Sequence, residues 1–461
     1  MRHRRPIFAA TCVLGLTIAQ PVYAGGGPIA FPAWSVAPFV IMLLGVALGP
    51  VLLSKYWHSQ WNVLTFVLLV SGPTILWLWN WGPDAREALG HELQHYCSFI
   101  ALLFALYVIA GGIVLRGDVR ATPIVNAGLL GVGAMLANFV GTTGASMVLI
   151  RPMLRINHDR EHTSHLPVFF LIIVSNLGGL LTPLGDPPLF LGFLNGVSFG
   201  WTLRLWPQWL LAVGLALAMF LIVDWRSWRR EPAAALRLEG QHIHRFRIRG
   251  RLNILLMALV MLCVLLQSPR VGLAASQWIG VNPTLHRPWS DMALFALAFL
   301  SLVTTRRERR AENRFTWSPI LEVTIVFAGI FITMAPAIHL LQIHGRAFTV
   351  SAPWQYFWLT GSLSSILDNA PTYLVMATLA AGSEDLSLLA QNQPLILAAI
   401  SCGAVFFGAL TYVGNGPNFM VKAIVEQSGR PMPSFLSYSA AAAVILTPIL
   451  LAITLVFFRD G

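Results

Sequence analysis

Apolar runs long enough to cross a bilayer recur along the chain, and they constrain its fold more than any motif does. A helix needs about 20 apolar residues to cross a hydrocarbon core ~30 Å thick. Hydropathy predicts full spans near 36–54, 62–80, 98–115, 166–195, 205–224, 252–268, 291–305, 317–340, 395–422 and 436–458. Two more apolar segments, 122–150 and 354–380, carry Gly, Pro and polar residues at their centres. Only 11% of the 461 residues are charged, against about 25% in a soluble domain. The chain therefore reads as an all-α polytopic membrane protein; a barrel would show short alternating strands.

The formal charge of +11 fits topology better than nucleic-acid binding, because Arg and Lys collect in cytoplasmic loops. The segment 225–251, with Arg226, Arg229, Arg230, Arg237, Arg245, Arg247 and Arg249, reads as a cytoplasmic linker, and the turn holding Arg306, Arg307, Arg309, Arg310 and Arg314 lies on the same side. Basic residues flank 122–150 on both sides, so that segment enters and leaves from the cytoplasm as a re-entrant hairpin. By count of spans, 354–380 dips in from the periplasm. Residues 1–24, "MRHRRPIFAATCVLGLTIAQPVYA", follow the grammar of a signal peptide, with an uncleaved first span as the rival reading. The four cysteines are scattered and suggest neither a disulfide framework nor a thiolate metal site.

Residues 36–224 and 252–458 correspond: three spans, a hairpin, a long span broken by Gly and Pro, and a last span. "TPLGDPPLF" (Thr182–Phe190) aligns with "TYVGNGPNF" (Thr411–Phe419), sharing Thr, Gly, Pro and Phe, with Asp opposite Asn. "TTGASMVL" (Thr142–Leu149) aligns less closely with "DNAPTYLV" (Asp368–Val375). Five spans plus a cytoplasmic linker place the halves in opposite orientation. Inverted repeats with interrupted helices are a signature of secondary transporters, with the site at the midplane.

Thr182-Pro183-Leu184-Gly185-Asp186-Pro187-Pro188 cannot continue a helix, since proline removes a donor and clashes with the preceding turn. A break frees carbonyls for a cation and N–H groups for an anion. Asp186 sits in the break; it is either an N-cap ahead of proline or a carboxylate marking a transport pathway. Asn415 is its neutral counterpart. Asp368, at the tip of the second hairpin, is either a substrate or proton site or the cap of the helix that follows. Asn138, Thr143, Ser146, Ser175, Asn176, Ser364, Ser365, Asn369, Thr372 and Asn418 supply neutral oxygens, each also suited to an interhelical hydrogen bond, and the second break from Thr411 to Asn418 frees backbone groups as the first does. Two facing carboxylates among such oxygens suit a hard monovalent cation exchanged for protons, and they repel a polyanion unless neutralised first.

At "SNLGGLLTPLGDPP" (Ser175–Pro188), "LDNAPT" (Leu367–Thr372), "YVIAGGI" (Tyr107–Ile113) and "TYVGNGPN" (Thr411–Asn418) the chain resembles the ion transporter superfamily, which includes NhaD-type sodium/proton antiporters, arsenite permeases, and citrate and dicarboxylate carriers. The resemblance covers most of 36–458. It implies a multi-pass inner-membrane secondary carrier, not an enzyme. It also implies a homodimer with paired re-entrant hairpins, no cofactor, and Na+ or H+ as coupling ion. Dicarboxylate carriers hold carboxylates with a Ser-Asn-Thr triplet at both hairpin tips. Here the tips read "GTTGAS" (Gly141–Ser146) and "LDNAPT". With Asp368 in place of a neutral tip residue, the expectation is Na+ (or Li+)/H+ antiport, with symport of citrate or a related carboxylate as the alternative.

"HELQH" (His91–His95) matches the zinc-peptidase pattern H-E-x-x-H. A zinc peptidase needs a third protein ligand and a water position, and no suitable Asp-Gly motif follows on a later span. Ala88, Leu89, Leu93 and Tyr96 form an apolar stripe, which predicts an interfacial helix with His91, Glu92 and His95 at headgroup level. The motif is thus read as a chance match, with adventitious metal binding left open.

Overall fold

A computed structural model describes residues 29–57, 59–232, 244–267, 286–313, 315–344, 350–382 and 384–459. The expected signal peptide, and parts of the basic linker, lie outside the described residues. Among these, seven helices are long and apolar enough to cross a membrane, or eight if one bent pair counts as a span. The protein is a predominantly helical, multi-pass membrane protein.

The first half comprises α1 (Ala37–Leu52), α2 (Gln60–Trp81), α3 (Pro83–Ala110), strand β1 (Val114–Asp118), α4 (Pro123–Ile156), α5 (His165–Ile173), α6 (Pro187–Leu194) and α7 (Trp206–Trp228). The second comprises β2 (His244–Arg249), α8 (Arg251–Gln267), α9 (His286–Thr304), α10 (Arg307–Glu312), α11 (Ser318–His344), α12 (Pro353–Ile366), α13 (Asn369–Ala381), α14 (Leu386–Asn392), α15 (Pro394–Phe407), α16 (Gly416–Gln427) and α17 (Phe435–Ile453). The expected interruptions are present. α4 breaks at Gly141, whose φ of +74° lies in a region that disfavours a side chain. α12 ends at Ile366, and α13 starts after Asp368. The first long span divides into α5 and α6, and the second into α15 and α16.

Two elements depart from the sequence reading. The span expected to begin at 98 starts at Pro83 and includes the HELQH segment. Its buried face runs through Ala85, Leu89, Glu92, His95 and Phe99, rotated from the expected apolar stripe, so Glu92 and His95 are buried and not at headgroup level. α3 also stops at Ala110, because residues 114–118 pair antiparallel with 244–249, Val114 opposite Arg249. Tertiary contact decides this strand; the sequence around it is not strand-like. Neighbouring side chains satisfy the carbonyls that the end of α3 leaves free. Arg310 Nη1 donates to Val108 O (2.9 Å) and Asn253 Nδ2 to Gly112 O (3.1 Å), while Asn313 Nδ2 donates to Gly111 O (3.0 Å) and Ile113 O (2.7 Å). The turn at 306–313 and the start of α8 therefore meet the same end of α3.

One large apolar core runs through the described residues, with a smaller second cluster around Phe31, Leu78, Leu89 and Ile332. α3, the second arm of α4, α5, α6 and α15 are buried along most of their length, while α1, α2 and α17 keep exposed Leu, Val and Trp on their outer faces. Most broken elements thus lie inside together with the unbroken α3, and α1, α2 and α17 lie outside them. This is the arrangement that free backbone groups at membrane depth require.

Candidate functional site

Three of the polar side chains named from the sequence or its hairpins converge on Asp186. It is the N-cap of α6, where Pro187 occupies the first helical position, and it is 1% exposed. Its side chain makes no bond to its own helix. Oδ1 instead accepts from Thr142 Oγ1 at 2.9 Å and from Asn415 Nδ2 at 3.0 Å, and Oδ2 accepts from Asn369 Nδ2 at 2.5 Å. Each donor stands where another helix begins. Thr142 follows the break in α4, Asn415 is the N-cap of α16, and Asn369 is the first residue of α13. Four helix N-termini therefore meet at one carboxylate. A helix N-terminus carries the equivalent of about half a positive charge, so the carboxylate is held by four partial charges and three hydrogen bonds.

The two breaks are built alike. Gly185 packs against Gly179 so closely that a Cβ on Gly185 would lie 2.1 Å from Gly179 O; in the second break a Cβ on Gly414 would lie 2.8 Å from Gly408 O. Thr182 Oγ1 donates to Asn138 O at the end of the first hairpin's first arm. Thr411 Oγ1 donates to Ser365 O, at the matching place in the second hairpin, at 2.6 Å. Thr142 N–H donates to Gly185 O at 2.8 Å, joining hairpin to break.

The remaining expected residues fall around this centre. Asn415 Nδ2 also donates to Ser175 O and Asn176 Oδ1, each at 3.1 Å. Asn176 Nδ2 donates to Asn418 Oδ1 at 2.8 Å, which ties the first break to the second. Ser146 and Ser175 share a hydroxyl hydrogen bond of 2.8 Å. Asn138 Oδ1 accepts from Leu181 N–H at 2.8 Å. Thr372 Oγ1 donates back to Asp368 O at 2.8 Å.

Asp368 caps α13: its Oδ1 accepts from Ala370 N–H at 3.0 Å, and it is partly buried. Its neighbour Asn369, not Asp368, reaches Asp186. The Asn369 Oδ1 is buried and has no hydrogen-bond partner among the described residues.

A cavity of about 80 Å3 reaches Asp186 between α3, the first hairpin tip and the start of α11. By that measure it holds several waters. Thr142, Thr143 and Asp186 supply polar lining, and Phe99, Leu106 and Met420 supply apolar walls.

A second polar cluster escaped sequence reading. Asp224, fully buried near the end of α7, accepts from Arg160 Nη2 at 2.6 Å and from Asn126 Nδ2 at 3.0 Å, and its Oδ1 lies 2.9 Å from His165 Nε2. Glu231 completes it with Arg160 Nε at 3.4 Å and the N–H groups of Glu161 and His162 at 2.9 Å. From the second half, Arg430 donates to Thr163 Oγ1 and to Asn157 O. The one signal in the sequence was an Asp among apolar residues at a span end, and the surrounding arginines were absorbed into the topology reading.

The model of a family described as "Putative citrate transport" matches residues 29–458. Among curated proteins, the chain is similar to an uncharacterized transporter of Mycobacterium bovis and to one of Mycobacterium tuberculosis. Each is 25% identical over 345 residues, covering 71% of this chain and 75% of the relative.

Proposed function

Because the chain belongs to that family, we propose that it is a secondary carrier for citrate or a related carboxylate, coupled to H+ or Na+. One observation carries the choice of an anion: four helix N-termini meet at Asp186. N-termini of broken helices are suited to anionic substrate groups. The expectation of cation exchange rested on two opposed carboxylates repelling a polyanion. Here Asp368 Oδ1 accepts a capping bond from its own helix, and Asp186 is held by three neutral donors and four partial positive charges. Nominally four half charges outweigh one carboxylate, which leaves the centre hospitable to another anionic group. Asn369 Oδ1 adds an acceptor for a substrate hydroxyl, or an oxygen ligand for a coupling cation.

In this reading Asp186, Asn369, Asn415, Thr142 and Thr143 line the substrate position, and Asn138, Ser146, Ser175, Asn176, Thr182, Thr411 and Asn418 hold the breaks in shape. The halves 36–224 and 252–458 are inverted repeats about this centre, supported by the paired Thr182–Asn138 and Thr411–Ser365 contacts. A homodimer in the inner membrane is the assembly that the superfamily resemblance implies.

Thermal unfolding of the detergent-solubilised protein tests the ligand class. A ligand at about 100 times its Kd adds ~2.7 kcal/mol to the native state. Citrate is expected to raise the Tm, and Asn369→Ala to reduce that shift. Stabilisation by LiCl and NaCl, with none by citrate, would replace the proposal with cation exchange.

A further inference from the structure

Among the described residues, one close group of metal-ligating side chains lies apart from the Asp186 centre, on α3 two turns before Phe99. His91 is exposed, Glu92 is 8% exposed and His95 is 2% exposed. One ligand atom from each lies within 4.8 Å of the others. The two imidazole rings meet edge to face with centroids 4.2 Å apart. Helical spacing explains the approach, since His95 lies four positions after His91 and three after Glu92 and so neighbours both on the helix surface. The Glu92 Oε2 is buried with no hydrogen-bond partner among the described residues. A buried carboxylate oxygen without a partner is costly unless a cation or proton meets it.

We propose that His91, Glu92 and His95 form a site for one divalent transition-metal cation of the zinc type. Two imidazole nitrogens and one carboxylate oxygen match the ligand set zinc takes. Magnesium and calcium favour oxygen alone. All three ligands lie on one helix, so the metal ties no two helices together. The exposed edge at His91 leaves a coordination position open to water or to a ligand from solution. This is a binding site separate from the centre at Asp186, and it makes no use of a peptidase reaction.

The test uses the full chain in detergent, purified without a polyhistidine tag and stripped with chelator. Equilibrium dialysis against Zn2+ is followed by metal analysis, and Co2+ is used as a spectroscopic substitute. The expected result is one Zn2+ per chain and visible Co2+ absorption of the intensity of a four-coordinate ion. Glu92→Gln and His95→Ala should each weaken binding at least tenfold, while His158→Ala, an exposed histidine elsewhere, should leave it unchanged. Glu92→Gln preserves shape, so it remains informative if His95→Ala fails to fold. No stoichiometric binding by the wild type, or wild-type binding retained by Glu92→Gln and by His91→Ala/His95→Ala, overturns the proposal.

Discussion

Asn369 Nδ2 donates to Asp186 Oδ2 at 2.5 Å across 183 positions of sequence, joining the tip of the second hairpin to the break in the first half. With Thr142 and Asn415 on the other oxygen, that bond makes Asp186 the point through which both hairpins and both breaks communicate. Anything that alters its charge or shape acts on all four elements together.

Asp186→Asn is expected to abolish citrate uptake. The amide presents a donor to at least one of three existing donors, and hydrogen bonds to a charged group contribute about 1.5–3 kcal/mol each, so thermal stability should also fall measurably. Asn369→Asp should abolish uptake too, by setting carboxylate against carboxylate. The double variant Asp186→Asn/Asn369→Asp restores a donor–acceptor pair. It should recover more stability than the two single losses would predict if they were independent; unfolding of all four proteins in parallel measures the coupling.

The glycines of the breaks are expected to be intolerant for steric reasons. Gly185→Ala would bring a Cβ within 2.1 Å of a backbone oxygen, and Gly414→Ala within 2.8 Å of two. Overpacking costs about 1–3 kcal/mol or more, and backbone cannot give way as a side chain can. Gly214→Ala on α7 meets nothing within 4 Å and should be neutral or stabilising by up to about 1 kcal/mol. Yield of monodisperse protein and Tm distinguish the outcomes.

The Arg160–Asp224 pair is fully buried on both sides. Removing one partner of such a pair costs about 3–5 kcal/mol, whereas an apolar replacement of both can be close to neutral. Arg160→Met and Asp224→Leu should therefore each destabilise strongly, and the double variant less than either. The cluster also touches Arg430 through Thr163 and Asn157. Loss of Arg430 should then weaken transport more than stability, since it links a loop of one half to the other.

Much of this was legible in the chain. The prolines and glycines of 182–188 and 411–417 dictate breaks in any apolar helix, and their similarity pairs the two halves. The neutral residues named from the sequence do gather around the breaks. What composition and spacing could not supply was which carboxylate the other elements would meet. Asp186 and Asp368 both precede helix starts, and local rules allow either to cap. Both stand at N-caps, but only Asp368 bonds its own helix, while Asp186 bonds across elements, a difference set by the approach of Asn369 and Asn415 from 183 and 229 positions away. The strand at 114–118 and the rotated buried face of α3 were hidden for a similar reason. β1 exists because β2 pairs with it, and Glu92 and His95 are buried because α11 and its neighbours cover that side of α3.

The central claim is that four helix N-termini around Asp186 serve a carboxylate substrate. Uptake of radiolabelled citrate into proteoliposomes tests it most directly, with an imposed pH or Na+ gradient and with wild type beside Asp186→Asn. The account predicts gradient-driven citrate accumulation by the wild type and none by the variant. If citrate stays outside while NaCl or LiCl alone discharges the pH gradient, the site handles cations and the account is contradicted.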